Sequence, residues 1–256
     1  MPFQPVQPER LATAVAQQIE LLILRGVLRP GERLPPERDL SDRLGVSRPS
    51  LREAIADLTD SGLLATRAGS GIYVADVLGG AFSPALVQLF ARHEDALFDA
   101  IDFRRDIEGL AAARAATGAS DTDLKVIASH FARMQAAHEQ KNTQAEAQAD
   151  AEFHMAIIEA AHNVVLLHMM RSMFDLLRQG VFYNRAAMFA QNTTRTALLD
   201  QHRAINDAIQ ARDGDAARVA VHAHLAFVAD ALRAHLRAQR NETTARQRFE
   251  HEATRS

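Results

Sequence analysis

Residues Leu34 to Val74, LPPERDLSDRLGVSRPSLREAIADLTDSGLLATRAGSGIYV, constrain this chain more than any other stretch. Two short runs with helical spacing are parted by a turn at Gly45, and two extended runs follow, bent at Ala68-Gly69-Ser70-Gly71. Ser47 stands where the second helix needs an N-cap, because a hydroxyl there accepts a bond from a backbone N–H that the helix itself leaves open. Ser47, Arg48, Ser50 and Arg52 then place hydroxyls and guanidiniums on the first turns of that helix, the groups that meet phosphates and base edges. The order predicts a winged helix-turn-helix, with the second helix in the DNA major groove and the ribbon against the neighbouring groove or backbone.

The 256 residues suffice for one large domain or two modest ones without covalent staples. No cysteine is present, which removes thiol switching and cysteine-based zinc sites. The chain has no apolar run long enough for a membrane span, and MPFQPVQPER lacks the hydrophobic segment of a signal peptide, so a cytoplasmic protein is expected. A net charge of −3 does not advertise a nucleic-acid binder, so that expectation rests on local geometry. From Arg33 to Arg52 five arginines face three acids, Glu37, Asp39 and Asp42. Lysine occurs only at positions 125 and 141, and the arginine excess is spread along the chain, which fits a compositional bias better than a binding device.

Punctuation gives the organisation. Leu11, Val15, Ile19, Leu22 and Ile23 recur at helical spacing and predict a helix over 9–28. Pro35 and Pro36 open the next helix, Gly62 closes the one after it, and Leu63–Thr66 and Ile72–Ala75 read as wing strands. The expected DNA-binding domain is 8–76, followed by a linker over 77–84 with Gly79, Gly80 and Pro84. An all-helical antiparallel bundle is predicted for 85–238, with helices near 85–92, 95–117, 120–139, 143–161, 163–182, 195–212 and 214–238. Residues 239–256 are polar and read as a frayed tail. The fold class is thus mainly α.

Within the bundle, polar residues occupy apolar faces. Asp150 and His154 are four apart, on a face with Ala147, Ile157 and Ala161; His202 lies with Leu198, Ile205 and Ile209; His224 lies with Val221, Leu225, Val228 and Leu232. A buried carboxylate and three imidazoles without a shared partner are costly. A divalent metal held by neutral imidazole nitrogens and one carboxylate oxygen relieves that cost; the plain alternative is a set of separately hydrogen-bonded core histidines. Zinc is favoured, with nickel or manganese also suited to such ligands. His222 is expected to face solvent, His130 and His138 to lie on polar faces, and His162 to cap a helix junction.

The passage LRPGERLPPERDLSDRLGVSRPSLREAI resembles the DNA-binding signature of the GntR superfamily of bacterial regulators, and EFHMAIIEAAHNVVLLHMMRSMFDLL resembles the FCD-type effector domain of its FadR subgroup. The resemblance runs from about Leu11 to Leu236 and is nearest to regulators of L-lactate use and of the pyruvate dehydrogenase complex. It implies that Arg38, Arg48, Arg52 and Gly69 meet the operator, with Arg67 beside the wing tip; Ala68 departs from the polar wing residue usual in the family. For Arg52 the alternative is a surface ion pair with Glu53 or Asp57. It implies further that Asp150, His154, His202 and His224 hold a metal, and that Arg104 binds the far end of a small carboxylate effector. Arg104 also sits four residues before Glu108 and could pair with it; Arg105, turned about 100° around the helix, is less favoured.

These readings converge on a ligand-responsive regulator, a repressor, binding pseudo-palindromic double-stranded operator DNA as a homodimer. Its effector is expected to be a carboxylate of the lactate, pyruvate or glycolate type. The rival readings are a metal-dependent enzyme with a DNA-binding appendage, and a DNA-binding dimer whose metal is structural. No general base, nucleophile or HExxH motif accompanies the cluster, so the enzyme reading is the weaker.

Overall fold

Helix α1 (Glu9–Leu24) turns its Ala12, Val15, Ala16, Ile19 and Ile23 inward; Val15, Ile19 and Ile23 belong to the expected stripe, whereas Leu11 is exposed. The computed structural model describes residues 9–67, 69–76, 82–178 and 192–253. Their elements divide into two units, 1–81 and 82–256. In the first, α1 packs with α2 (Glu37–Leu44), α3 (Arg48–Asp60), β1 (Leu64–Arg67) and β2 (Gly71–Val74) around Leu34, Leu51, Ala54, Ile55, Leu58, Leu64 and Val74. Each such side chain contributes about 1.5–3 kcal/mol when fully buried, which lets so small a core hold.

Gly45, at φ +65, ends α2 in the left-handed conformation that only glycine adopts freely, and its N–H and that of Val46 return to Asp42 and Ser41 carbonyls. Ser47 then caps α3, accepting the Ser50 N–H at 3.3 Å. The two strands pair antiparallel, with Leu64 opposite Val74 and Arg67 opposite Gly71, one residue later on the first strand and one earlier on the second than the sequence reading. A short third arm joins them: Leu34 N–H donates to Ile72 O at 2.9 Å and Val74 N–H to Glu32 O at 2.9 Å, and Arg33 bridges Tyr73.

The described residues of the second unit form helices: α4 (Pro84–Arg92), α5 (Glu94–Gly118), α6 (Asp121–Glu139), α7 (Thr143–Ala160), α8 (Val164–Arg178), α9 (Asn192–Gln210) and α10 (Gly214–Ala253). Their starts are capped by Ser83, by a Ser120–Asp123 capping box and by Asn142. Turns of a few residues connect α5 to α6, α6 to α7 and α9 to α10, so neighbours run antiparallel. A row of alanines on α5 (Ala111, Ala112, Ala115, Ala116) lets other helices approach closely, and Phe131, Phe153, Ile157, Met170, Ile205 and Leu225 fill the remaining core. No described helix is long and apolar enough to cross a membrane.

Two expectations are corrected. The expected tail is helical as far as it is described: α10 continues through 239–253, with Arg237 to Ala253 exposed throughout. No glycine or proline follows Gly214, and alanine, arginine, glutamate and glutamine all favour helix, so polarity alone was a poor sign of disorder. His222 does not face solvent; it is half-buried against α5, its Nε2 2.5 Å from where a Cβ on Gly109 would stand. The missing side chain at Gly109 makes that room. The expected linker residues 77–81, wing residue Ala68 and the end of the 163–182 helix lie outside the described residues.

Candidate functional site

Asp150 and His154 on α7, His202 on α9 and His224 on α10 are all buried, and one ligand atom from each lies within 4.8 Å of the others. Periodicity put each on an inward face; the bundle brings the faces together. His154 Nε2 stands 3.2 Å from His202 Nε2, and Asp150 Oδ1 lies 2.9 Å from His202 Nε2 and 3.8 Å from His154 Nε2.

The outer ring nitrogens determine which atoms face the centre. His202 Nδ1 donates to the Leu198 carbonyl at 2.6 Å, and His154 Nδ1 turns to Glu108, its ion-pair partner, with Oε2 2.7 Å away. His224 Nδ1 lies 3.1 Å from the Gln201 side-chain oxygen and donates to it. Each imidazole is therefore held with its proton on Nδ1 and the Nε2 lone pair turned inward. Two lone pairs 3.2 Å apart repel unless a cation lies between them. Burial, the first cause, lowers the pKa of His154 despite Glu108, and carries that of His224 well below the ordinary value, so a proton on either of these two rings is disfavoured. A tetrahedral zinc with bonds of about 2.0–2.1 Å spaces its ligand atoms by roughly 3.3 Å, close to the 3.2 Å between the His154 and His202 nitrogens, and the whole donor set lies within 4.8 Å. The residues fit a divalent metal.

Behind His154 the network continues. Glu108 Oε1 accepts from Arg104 Nε at 2.6 Å, and the Arg104 guanidinium, 1% exposed, lies 5.2 Å from the Phe174 ring centroid. Burial alone would raise the Glu108 carboxyl, but Arg104 and His154 together outweigh it and lower the pKa to about 2. Arg104 points inward and pairs with Glu108, the salt bridge weighed against effector binding in the sequence. Arg105 turns outward to Asp102 at 2.7 Å. Glu108 and Gln201, the residues that orient two of the imidazoles, were not singled out from sequence; only the position of Glu108 on the Arg104 face hinted at it.

One turn before Asp150 on α7 lies a second buried polar group. Glu146 accepts from Arg195 Nε at 2.7 Å and pairs with His138 Nδ1 at 2.6 Å, while Arg195 Nη2 donates to the His138 carbonyl at 2.9 Å. His138 is thus half-buried in an ion-pair cluster rather than on a polar face. Arg195 opens α9, so the cluster ties the start of that helix to α6 and α7. His162, in the left-handed conformation at φ +50, reaches Asp123 at 3.0 Å, and the capping at that junction comes from Asn163.

In the first unit Arg38, Ser47, Arg48, Arg52, Arg67 and Gly69 are exposed. Ser50 is not: it is 8% exposed and its hydroxyl meets the Ser47 hydroxyl at 2.9 Å, inside the cap rather than on the outer face. Arg52 pairs with neither Glu53 nor Asp57; its Nε donates to Glu37 Oε2 on α2 at 2.8 Å. Arg67 lies over the Tyr73 ring, 4.3 Å from the centroid, and Gly69 makes the wing turn at φ +69.

Known proteins share both halves. The sequence matches the bacterial regulatory proteins of the gntR family over residues 11–74 and the FCD domain over residues 99–227. It is 40% identical over 227 residues to the L-lactate dehydrogenase operon regulatory protein of Escherichia coli (strain K12), covering 87% of this chain and 86% of that protein. It is 34% identical over 221 residues to the Glc operon transcriptional activator of the same strain, covering 85% and 87%. A solved GntR protein of Streptococcus agalactiae shares the fold, with a TM-score of 0.54 at 24% identity over 86% of this chain and 99% of that one. The curated relatives are named as regulators of transcription, not as enzymes. The chain is a DNA-binding transcription regulator and belongs to the GntR family, with an FCD domain as its helical half.

Proposed function

We propose that this regulator is a metal-dependent sensor of a small carboxylate, of the FadR subgroup, acting as a homodimeric repressor on a pseudo-palindromic operator. The observation that carries the reading is the convergence of three Nε2 lone pairs and the Asp150 carboxylate, joined through Glu108 to the buried Arg104. Asp150, His154, His202 and His224 would hold the metal, zinc by preference, and a five- or six-coordinate ion there would leave an open position for a carboxylate oxygen. Arg104 would take the other end of the ligand by charge-assisted hydrogen bonds. Relatives named for the L-lactate dehydrogenase and Glc operons support a hydroxy or keto acid of the lactate, pyruvate or glycolate type.

On the DNA side, Arg38, Arg48 and Arg52 would contact the operator, Ser47 would cap the recognition helix beside the phosphates, and Arg67 and Gly69 would approach the neighbouring groove. Ser50 is withdrawn from that set by its burial. A ligand that prefers one arrangement of the dimer shifts operator affinity by its differential binding alone.

The test is a mobility shift on a fragment from upstream of the protein's own gene, titrated with L-lactate, D-lactate, pyruvate and glycolate, with and without a chelator. Release by one acid, abolished by the chelator, is the expected result. Operator binding that ignores every acid removes the ligand assignment. Chelation that lowers stability while the acid response persists favours a structural metal instead.

A further inference from the structure

We propose that Glu37 is a specificity-determining residue in DNA recognition, holding one edge of the Arg52 guanidinium so that its far end is committed to a base rather than to a phosphate. The proposal rests on the reading of Arg52 as a DNA-contacting residue. Arg52 is the fifth residue of α3 and its side chain is 65% exposed, yet it does not range freely: Nε donates to Glu37 Oε2 at 2.8 Å. Glu37 is half-buried. It opens α2, where the unpaired N–H groups of the first turn favour a carboxylate, and Pro36 before it narrows the entry.

Two consequences follow from that contact. A guanidinium carries five N–H groups in a planar fork, and with Nε–H engaged the pair of terminal amino groups remains, directed away from Glu37. Those two donors match the N7 and O6 acceptors of guanine in the major groove. The second consequence is electrostatic. A carboxylate 2.8 Å from Nε repels phosphate oxygens that would otherwise compete for Arg52, whereas the neutral guanine edge suffers less. Glu37 therefore weakens indiscriminate binding while pre-arranging selective binding.

The test uses full-length chains and two duplexes at one salt concentration: a site selected from a random pool by the wild-type protein, and a scrambled duplex of equal length. Glu37→Gln keeps the side-chain size and removes the charge. The expected result is a fall of about tenfold in the ratio of specific to scrambled affinity, with scrambled binding unchanged or tighter. In an Arg52→Ala background the same Glu37 change leaves the ratio where Arg52→Ala alone puts it. Parallel tightening on both duplexes, an unchanged ratio, or an effect that persists without Arg52 overturns the proposal. An Arg52→Ala chain that keeps the full wild-type ratio overturns the reading of Arg52 beneath it, so the two failures are told apart.

Discussion

Replacing Glu108 with glutamine isolates the group that joins the expected metal ligand to the expected effector arginine. In the native chain both carboxylate oxygens are engaged: Oε1 accepts from Arg104 Nε at 2.6 Å, and Oε2 lies 2.7 Å from His154 Nδ1 as its ion-pair partner. Glutamine has one acceptor and one NH2, so in either orientation a donor confronts a donor. If the amide oxygen stays with Arg104, His154 loses the partner that fixes its tautomer. Loss of such an outer partner typically costs metal affinity about 10–100-fold, or about 1.4–2.7 kcal/mol. In either orientation the amide is neutral, so the buried Arg104 guanidinium loses its anion, and breaking a buried pair destabilises by about 3–5 kcal/mol. Competition between the protein and a chromophoric chelator for zinc reads the first effect, and urea unfolding of the stripped protein reads the second. Arg105→Gln is the control, since its partners lie on the surface. Zinc affinity within about threefold of wild type, with an unchanged urea midpoint, refutes the account.

The metal-free protein should lose stability on acidification. His154 and His224 are held neutral by burial, their pKa values lie below the ordinary one, and unfolding therefore takes up protons. Their contribution is complete above about pH 6.5 and falls by about 1.4 kcal/mol per pH unit for each histidine below it, with Glu108 adding a loss between its ordinary 4.5 and about 2. Equal urea midpoints at a neutral and a mildly acidic pH would contradict this. Chelation should lower the Tm of the wild type and leave that of His202→Ala unmoved, because the stabilisation by bound metal is then already gone. Arg195→Met leaves the buried Glu146 carboxylate with His138 alone and should cost up to about 3–5 kcal/mol in urea unfolding, while pairing it with Glu146→Gln should recover much of the loss. Ser47→Ala should cost about 1 kcal/mol by leaving the first turn of α3 uncapped, seen as an earlier melt of the DNA-binding unit.

Much of the site could be read before any coordinates because helices repeat. Asp150 and His154 four apart, and His202 and His224 each among aliphatic neighbours, disclose an inward direction from spacing alone. What spacing cannot disclose is the neighbour across the gap. Glu108 lies on α5, remote in sequence from His154, and Glu37 lies 15 residues from Arg52; both contacts depend on how separate helices meet. Ser50 illustrates a different miss. Its position on the first turn was evident, but a hydroxyl there can face the groove or fold back onto the cap, and it folds back. The α10 extension failed for a third reason: a polar sequence was taken for a loose one, although strong helix formers without a breaker continue a helix already nucleated upstream.

Glu146, Asp150 and His154 form one stripe along α7, an ion-pair partner followed by two expected metal ligands at intervals of four residues. That arrangement bears on how such genes can diverge. A single codon inserted between positions 146 and 154 would rotate everything beyond it by about 100° and move His154 off the face it shares with Glu146. Substitutions along the helix can be absorbed one at a time, but length cannot. Descendants of this gene are therefore expected to gain and lose residues in the bends around 140–142 and 161–163, and to keep the reading length of α7 between them fixed wherever a metal is still bound.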